Sequence, residues 1–420
     1  GTMVRYALIR GGRAWVADNQ LTRFDIHAAR GRLQPRGVEN DRSATLQPPA
    51  AVGQAVFHVR RRLGLPGVAV SAVAAQGGLL WETRLAVPLA AEPIVNGDEL
   101  TVVNALGAVF EIDASRLAGQ AVLDEPTIAL QAAEVRRAIP RAVPLAGGAV
   151  AMPTLGTMPK IAVFDPSHSR ERFLWIVLPD PLSCPPVEGL GGLLAPCSSG
   201  QVYLMDPRTG QKLAEPFQPS LQPGEAVAWG EPALVDDQQF ILPDGKHTIY
   251  LVGRKSGSPP HLAALASVNL TDPVVSPAAV AGSVAYVMDA ADVLLAVQLP
   301  QLEVVRQWPL GGRCVWGPRA VAGRVLVATS DLQLHCLDEQ KRLLWQITLP
   351  YGPLAGAPLA LDGDYILAST DGVLWRVEGT TGKEKGKVAV EQPLGTGAVR
   401  LGDRLVVGGH DGTLYQVPIP

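Results

Sequence analysis

A glycine-turn hairpin recurs ten times along the chain. Each copy is a short apolar strand, a tight turn and a second apolar strand. The turn residue falls at Gly12, Gly53, Gly97, Gly147, Gly192, Asp237, Gly282, Gly323, Gly363 and Gly402, at intervals of 41, 44, 50, 45, 45, 45, 41, 40 and 39 residues. A period of this size marks a repeat architecture, in which no unit buries its apolar face alone and neighbours must stack. Such a platform does not declare its function, which has to be sought in what sits on it.

Aligned side by side, the units show four strands. Strand A carries a proline before the turn, at Pro93, Pro144, Pro186, Pro232, Pro277, Pro318 and Pro358. Strand B is a short apolar run such as Leu100-Thr101-Val102-Val103 or Val325-Leu326-Val327, and a small polar turn follows, as at Asp244-Gly245, Asp371-Gly372 and Asp411-Gly412. Strand C ends on an apolar-Asp pair at Phe24-Asp25, Ile112-Asp113, Phe164-Asp165, Met205-Asp206 and Leu337-Asp338. Strand D carries tryptophan at Trp81, Trp175, Trp308 and Trp345. Short β-branched and aliphatic runs bounded by Gly, Pro, Asp or Ser read as strands, and one weak helix is expected over 128–138. Four-stranded antiparallel units at this interval fit a β-propeller better than a sandwich. The strand-C aspartates are expected to accept backbone hydrogen bonds in the following turn, and the tryptophans to fill grooves between blades.

The expected fold is therefore all-β: a single propeller over 1–420 with ten units, or an eight-bladed ring with extra N-terminal units. Residues 1–90 are its least regular part. The last unit ends without a strand D. The chain enters an apolar strand at Val4, and this abrupt start suggests a fragment of a longer protein.

Composition narrows the partners. With 47% apolar and 18% charged residues, the chain buries a sizeable core. Its net charge of −3 gives no electrostatic case for nucleic acid or an anionic membrane. No apolar run is long enough to span a bilayer as a helix, and no signal peptide is recognisable. Cys184 and Cys197 flank one turn, where either a cross-strand disulfide or two buried thiols would fit, while Cys314 and Cys336 are expected to be free.

The segments Gly200–Leu213, Asp371–Lys383 and Asp411–Val417 resemble the repeat of the pyrroloquinoline-quinone (PQQ)-like propellers. That superfamily includes quinoprotein alcohol dehydrogenases and the outer-membrane assembly factor BamB. Its enzymes add a disulfide between adjacent cysteines, a tryptophan beneath the quinone, calcium ligands and a catalytic Asp. Here no two cysteines are adjacent and no acidic cluster has metal-ligand spacing. The resemblance thus implies the non-enzymatic, BamB-like branch, with neither PQQ nor calcium bound, and an extracytoplasmic setting in the periplasm or cell envelope.

A search for chemistry returns little. The seven histidines lack zinc spacing, and there is no phosphate loop, nucleophile elbow or H-E-x-x-H. Arg60-Arg61-Arg62 reads as a solvated hairpin edge, and Asn269-Leu270-Thr271 has glycosylation spacing. One constellation is suggestive. The turns between strands B and C hold Asp18, Asp244, Asp289, Asp331, Asp371 and Asp411, with His410 beside the last. Gathered at one end of a propeller they would form an acidic rim for a basic peptide or a cation, unless Asp is there simply because turns favour it. The leading expectation is a non-catalytic scaffold for a protein or peptide partner. The alternatives are a quinone- and calcium-dependent dehydrogenase, or a small-ligand sensor using the central channel.

Overall fold

The computed structural model describes the chain except for residues 1–5, 40–42, 63–67, 117–122, 124, 132, 136, 156–157, 168–171 and 222–225. The strands run in antiparallel order A-B-C-D, giving sheets over 6–38, 43–85, 94–129, 143–177, 187–217, 233–269, 279–309, 314–348, 359–389 and 399–418; in the second, two short strands, Ser43–Thr45 and Ala50–Val52, share the place of strand A. The fifth and sixth of these touch edge to edge through a single parallel pair, Glu215 with His261. The tenth has three strands and no D, as its sequence foretells.

Left-handed residues build the A–B turns. Ala322-Gly323 and Asp362-Gly363 each place two consecutive residues at positive φ, the geometry that matches the twist of a two-residue hairpin. In the fifth sheet the turn is Leu190-Gly191, one residue before the expected Gly192, which instead pairs with Gly189 inside the ladder. The described residues of 128–138 do not form the expected helix either. Ile128–Ala129 is the strand D of the third sheet, paired with Ala108 and Val109, so the repeat overrides a local helical pattern.

Apolar cores link the sheets in a closed circuit. From the third sheet to the tenth, each shares a core with the next: Val109 with Phe164, Ile161 with Leu193, Leu204 with Phe240, Ile249 with Val287, Tyr286 with Val327, Leu326 with Leu367, and Ile366 with Val407. The circuit closes where Leu401 and Val406 of the tenth sheet pack on Leu100, Val102 and Ile112 of the third. Ten units are thus present, but they do not share one ring. Eight form the propeller, and the first two stack on each other outside it through Trp15, Leu21, Val56 and Val73. The alternative arrangement is the one observed. Side chains on the third and tenth sheets fit each other, so the second sheet is left without a successor.

The repeated polar residues do structural work. Asp206 accepts from the Arg208 amide at 2.8 Å and Asp338 from the Arg342 amide at 2.8 Å, each tying down the turn that follows. Trp345 lies between the eighth and ninth sheets, its indole N–H donating to the Gly379 carbonyl at 2.8 Å. Trp81 departs from this pattern and is 46% exposed. Arg60 is no solvated edge either: it is buried and paired with Glu82 across the second sheet. The Arg61 and Arg62 side chains lie outside the described residues.

Candidate functional site: the bridged end of the ring

In an A-B-C-D blade the B–C turns and the connections entering strand A fall at the same end. Bridges such as Leu89 to Asn104, Val274 to Asp289 and Leu354 to Ser369 join the two in one blade after another. The aspartates of the expected rim therefore belong at this end, yet the structure treats them differently.

Asp244 and Asp289 are buried. The Asp244 carboxylate accepts from the amides of Lys246 and Thr248 at 2.8 and 3.0 Å, and that of Asp289 from Ala291 and Val293 at 3.0 and 2.9 Å. Asn104 makes the same pair of bonds in the third sheet, to Leu106 and Ala108 at 3.0 Å each. An uncharged residue in the same role shows that these positions serve the turn. Asp18 sits on the first sheet, outside the ring. Asp331, Asp371, Asp411 and His410 remain exposed, on the eighth, ninth and tenth sheets in succession. Asp411 is held by its own turn: Thr413 N–H donates to it at 2.9 Å and the Tyr415 hydroxyl at 3.1 Å. Burial opposes ionisation there, but these bonds outweigh it and lower the carboxyl below its ordinary value.

The strongest arrangement at this end was not legible from the turns. Arg141, at the entry to the fourth sheet, donates through Nη1 to both oxygens of Glu231 at the entry to the sixth, at 2.9 and 2.7 Å. Arg319 of the eighth sheet reaches the same carboxylate at 3.5 Å. These residues stand on blades two apart, so their side chains meet across the channel. Burial, then the neighbouring Arg141, push the Arg319 guanidinium below its ordinary value, while Glu231 and Glu92 pull it back. Glu92, entering the third sheet, accepts from the Ala357 amide of the ninth at 3.2 Å, a second link between blades two apart. Gly356 and Gly397 make room for this, since a Cβ on Gly356 would strike the Gly397 backbone and the Glu92 carboxylate.

All four cysteines are free thiols, so the disulfide reading of Cys184 and Cys197 does not hold. Cys184 hydrogen-bonds instead to the Gly230 carbonyl at 3.3 Å. Among the described residues no group of three or more His, Cys, Asp or Glu side chains is placed to hold a metal ion. Arg141, Glu231 and Arg319 are occupied with one another.

The comparisons agree with this fold. A family model described as "Outer membrane protein assembly factor BamB" matches residues 303–419, from the last strand of the seventh sheet through the tenth. Over that stretch the chain is similar to the PQQ-like, BamB-like propeller repeat. Among solved structures it is similar to the computationally designed Ika8 protein, with TM-score 0.57 and 13% identity over 79% of this chain and 96% of that one. It is also similar to BamB from Moraxella catarrhalis, with TM-score 0.47 and 11% identity over 90% and 96%. At 13% identity the likeness to the designed protein speaks of fold alone. No curated protein matches the sequence.

Proposed function

We propose that the protein is a non-catalytic platform that holds a protein or peptide partner at the end of the ring carrying the B–C turns. The observation that carries this reading is the Arg141–Glu231–Arg319 set. It spends the channel's charged groups on one another and joins blades two apart, which favours a rigid presenting surface over a cofactor pocket. The matched family model is named for an outer membrane protein assembly factor, and that likeness supports both a protein partner and an extracytoplasmic setting. No helix of the described residues is long and apolar enough to cross a membrane.

The exposed part of the expected rim, Asp331, Asp371 and Asp411 with His410, is the contact proposed for a basic segment. A fluorescent Lys/Arg-rich peptide titrated into the intact protein tests it. Replacing the three aspartates by lysine should weaken binding roughly tenfold or more, mostly through loss of electrostatic steering and complementarity. Equal affinity of the wild type and the triple variant would remove the rim from the reading.

A further inference from the structure

Exposed large apolar side chains are unevenly spread. Nine of nineteen lie between Ile9 and Leu85, on the two sheets outside the ring. Register places six of them, Ile9, Leu33, Val38, Val52, Trp81 and Leu85, on open blade faces. On the second sheet, Val56, His58, Ser71 and Val73 share the side that meets the first sheet, so Phe57, Val59, Val70, Trp81 and Leu85 share the opposite side. On the first sheet, Trp15 and Leu21 point to the second, so Ile9, Val16, Phe24, Ile26 and Leu33 share the outer side. The residues named are all apolar, and Arg61 shares the open side of the second sheet by register. Ile9 is 71% exposed, Leu33 54% and Leu85 52%. Contiguous exposed apolar patches of this kind mark an interaction site.

The repeat identifies what fits them. Within the ring every such face is covered by a sheet of the same repeat. Of the strand-D counterparts of Trp81, Trp308 and Trp345 pack toward the following blade and Trp175 toward the preceding one, so the direction of Trp81 is set by its own register, on the side away from the first sheet. Trp81 points where a following blade would lie, and the outer face of the first sheet is what a preceding blade would meet. The two open faces are therefore complementary, front to back, and both largely apolar.

We infer that two copies of this chain join through these sheets, the second sheet of each packing on the first sheet of the other. Two sheets cannot close on themselves. Four can, since four blades is the lower end of the usual propeller range. A two-fold rotation closes this front-to-back contact into a ring instead of a filament. The dimer then consists of two eight-bladed rings flanking one shared four-bladed ring.

Light scattering and sedimentation of the intact chain test this. The expected species has twice the 44.3 kDa chain mass and dissociates on dilution. Trp81→Asp, on one face, and Ile9→Asp, on the other, should each weaken the dimer by roughly 30-fold or more, the effect of spoiling a central apolar anchor. Both positions are exposed, so circular dichroism and melting should match the wild type. A monomer at every concentration, an open-ended polymer, or a dimer that survives either substitution would overturn the inference. A monomer would assign the faces to blades from another polypeptide. Survival of Ile9→Asp alone would indicate pairing of the two second sheets.

Discussion

The Arg141 guanidinium lies 2.7 Å from the Glu231 carboxylate, although the two residues are 90 positions apart and stand on non-adjacent blades. Arg319 approaches the same carboxylate from the other side. Glu231 is thus the anion that keeps two arginines from repelling each other. Glu231→Gln should destabilise the ring by about 1.5–3 kcal/mol, the range for a hydrogen bond to a charged group. Adding Arg319→Met should restore part of that loss, because one of the facing cations is then gone. Denaturant melts of the single and double variants measure both effects, and strictly additive losses would contradict the shared-anion geometry.

The two outer sheets should respond to acid. His58 is buried beside Arg60, and burial first, then that positive charge, lower its pKa to about 4 from 6.5. The Thr45 hydroxyl donates to the Asp18 carbonyl at 2.6 Å, so His58 Nε2–H donates to Thr45 at 3.0 Å, fixing the neutral tautomer. The unfolded histidine binds a proton below pH 6.5 and the folded one only near pH 4. The contribution is therefore fully present above pH 6.5 and lost as pH falls toward 4, by about 3 kcal/mol at most. Stability measured between pH 7 and pH 4 should fall in the wild type and fall less in His58→Gln. Parallel curves would refute this assignment.

The thiols should be inert in the folded protein. Burial pushes Cys197 and Cys336 up to about 12 and Cys314 to about 11, and raises Cys184 as well. The thiolate is the reactive form, so iodoacetamide at pH 8 should label few cysteines natively and all four in guanidinium. Labelling of only two in the unfolded protein would show a disulfide.

What the sequence made legible was local. The hairpin period, the turn chemistry and the strand-C aspartates depend on residues a few positions apart, and the structure reproduces them. Leu190-Gly191 differs by one residue because Gly191 and Gly192 offer the turn two equivalent places. Ring closure depends on which apolar face meets which, and Leu100 and Val406 look like their counterparts in every other unit. The Arg141–Glu231–Arg319 set was missed because its members are far apart and each looks unremarkable alone. A signal was present. Glu231 directly precedes the strand-A Pro232, the place that Ser276 takes before Pro277 and Gly317 before Pro318, while Arg319 directly follows Pro318 and Arg141 lies three residues before Pro144. Asp244 and Asp289 show the converse, since composition alone cannot separate a carboxylate that faces solvent from one consumed by its own turn.

The claim that the channel is bridged by protein charge, and so presents a surface instead of holding a cofactor, has one direct test. The intact protein is titrated with PQQ and calcium while absorbance and dye reduction with alcohols and sugars are followed. We expect neither a saturable spectral change nor turnover. Saturable PQQ binding with calcium-dependent dye reduction would contradict the non-catalytic reading.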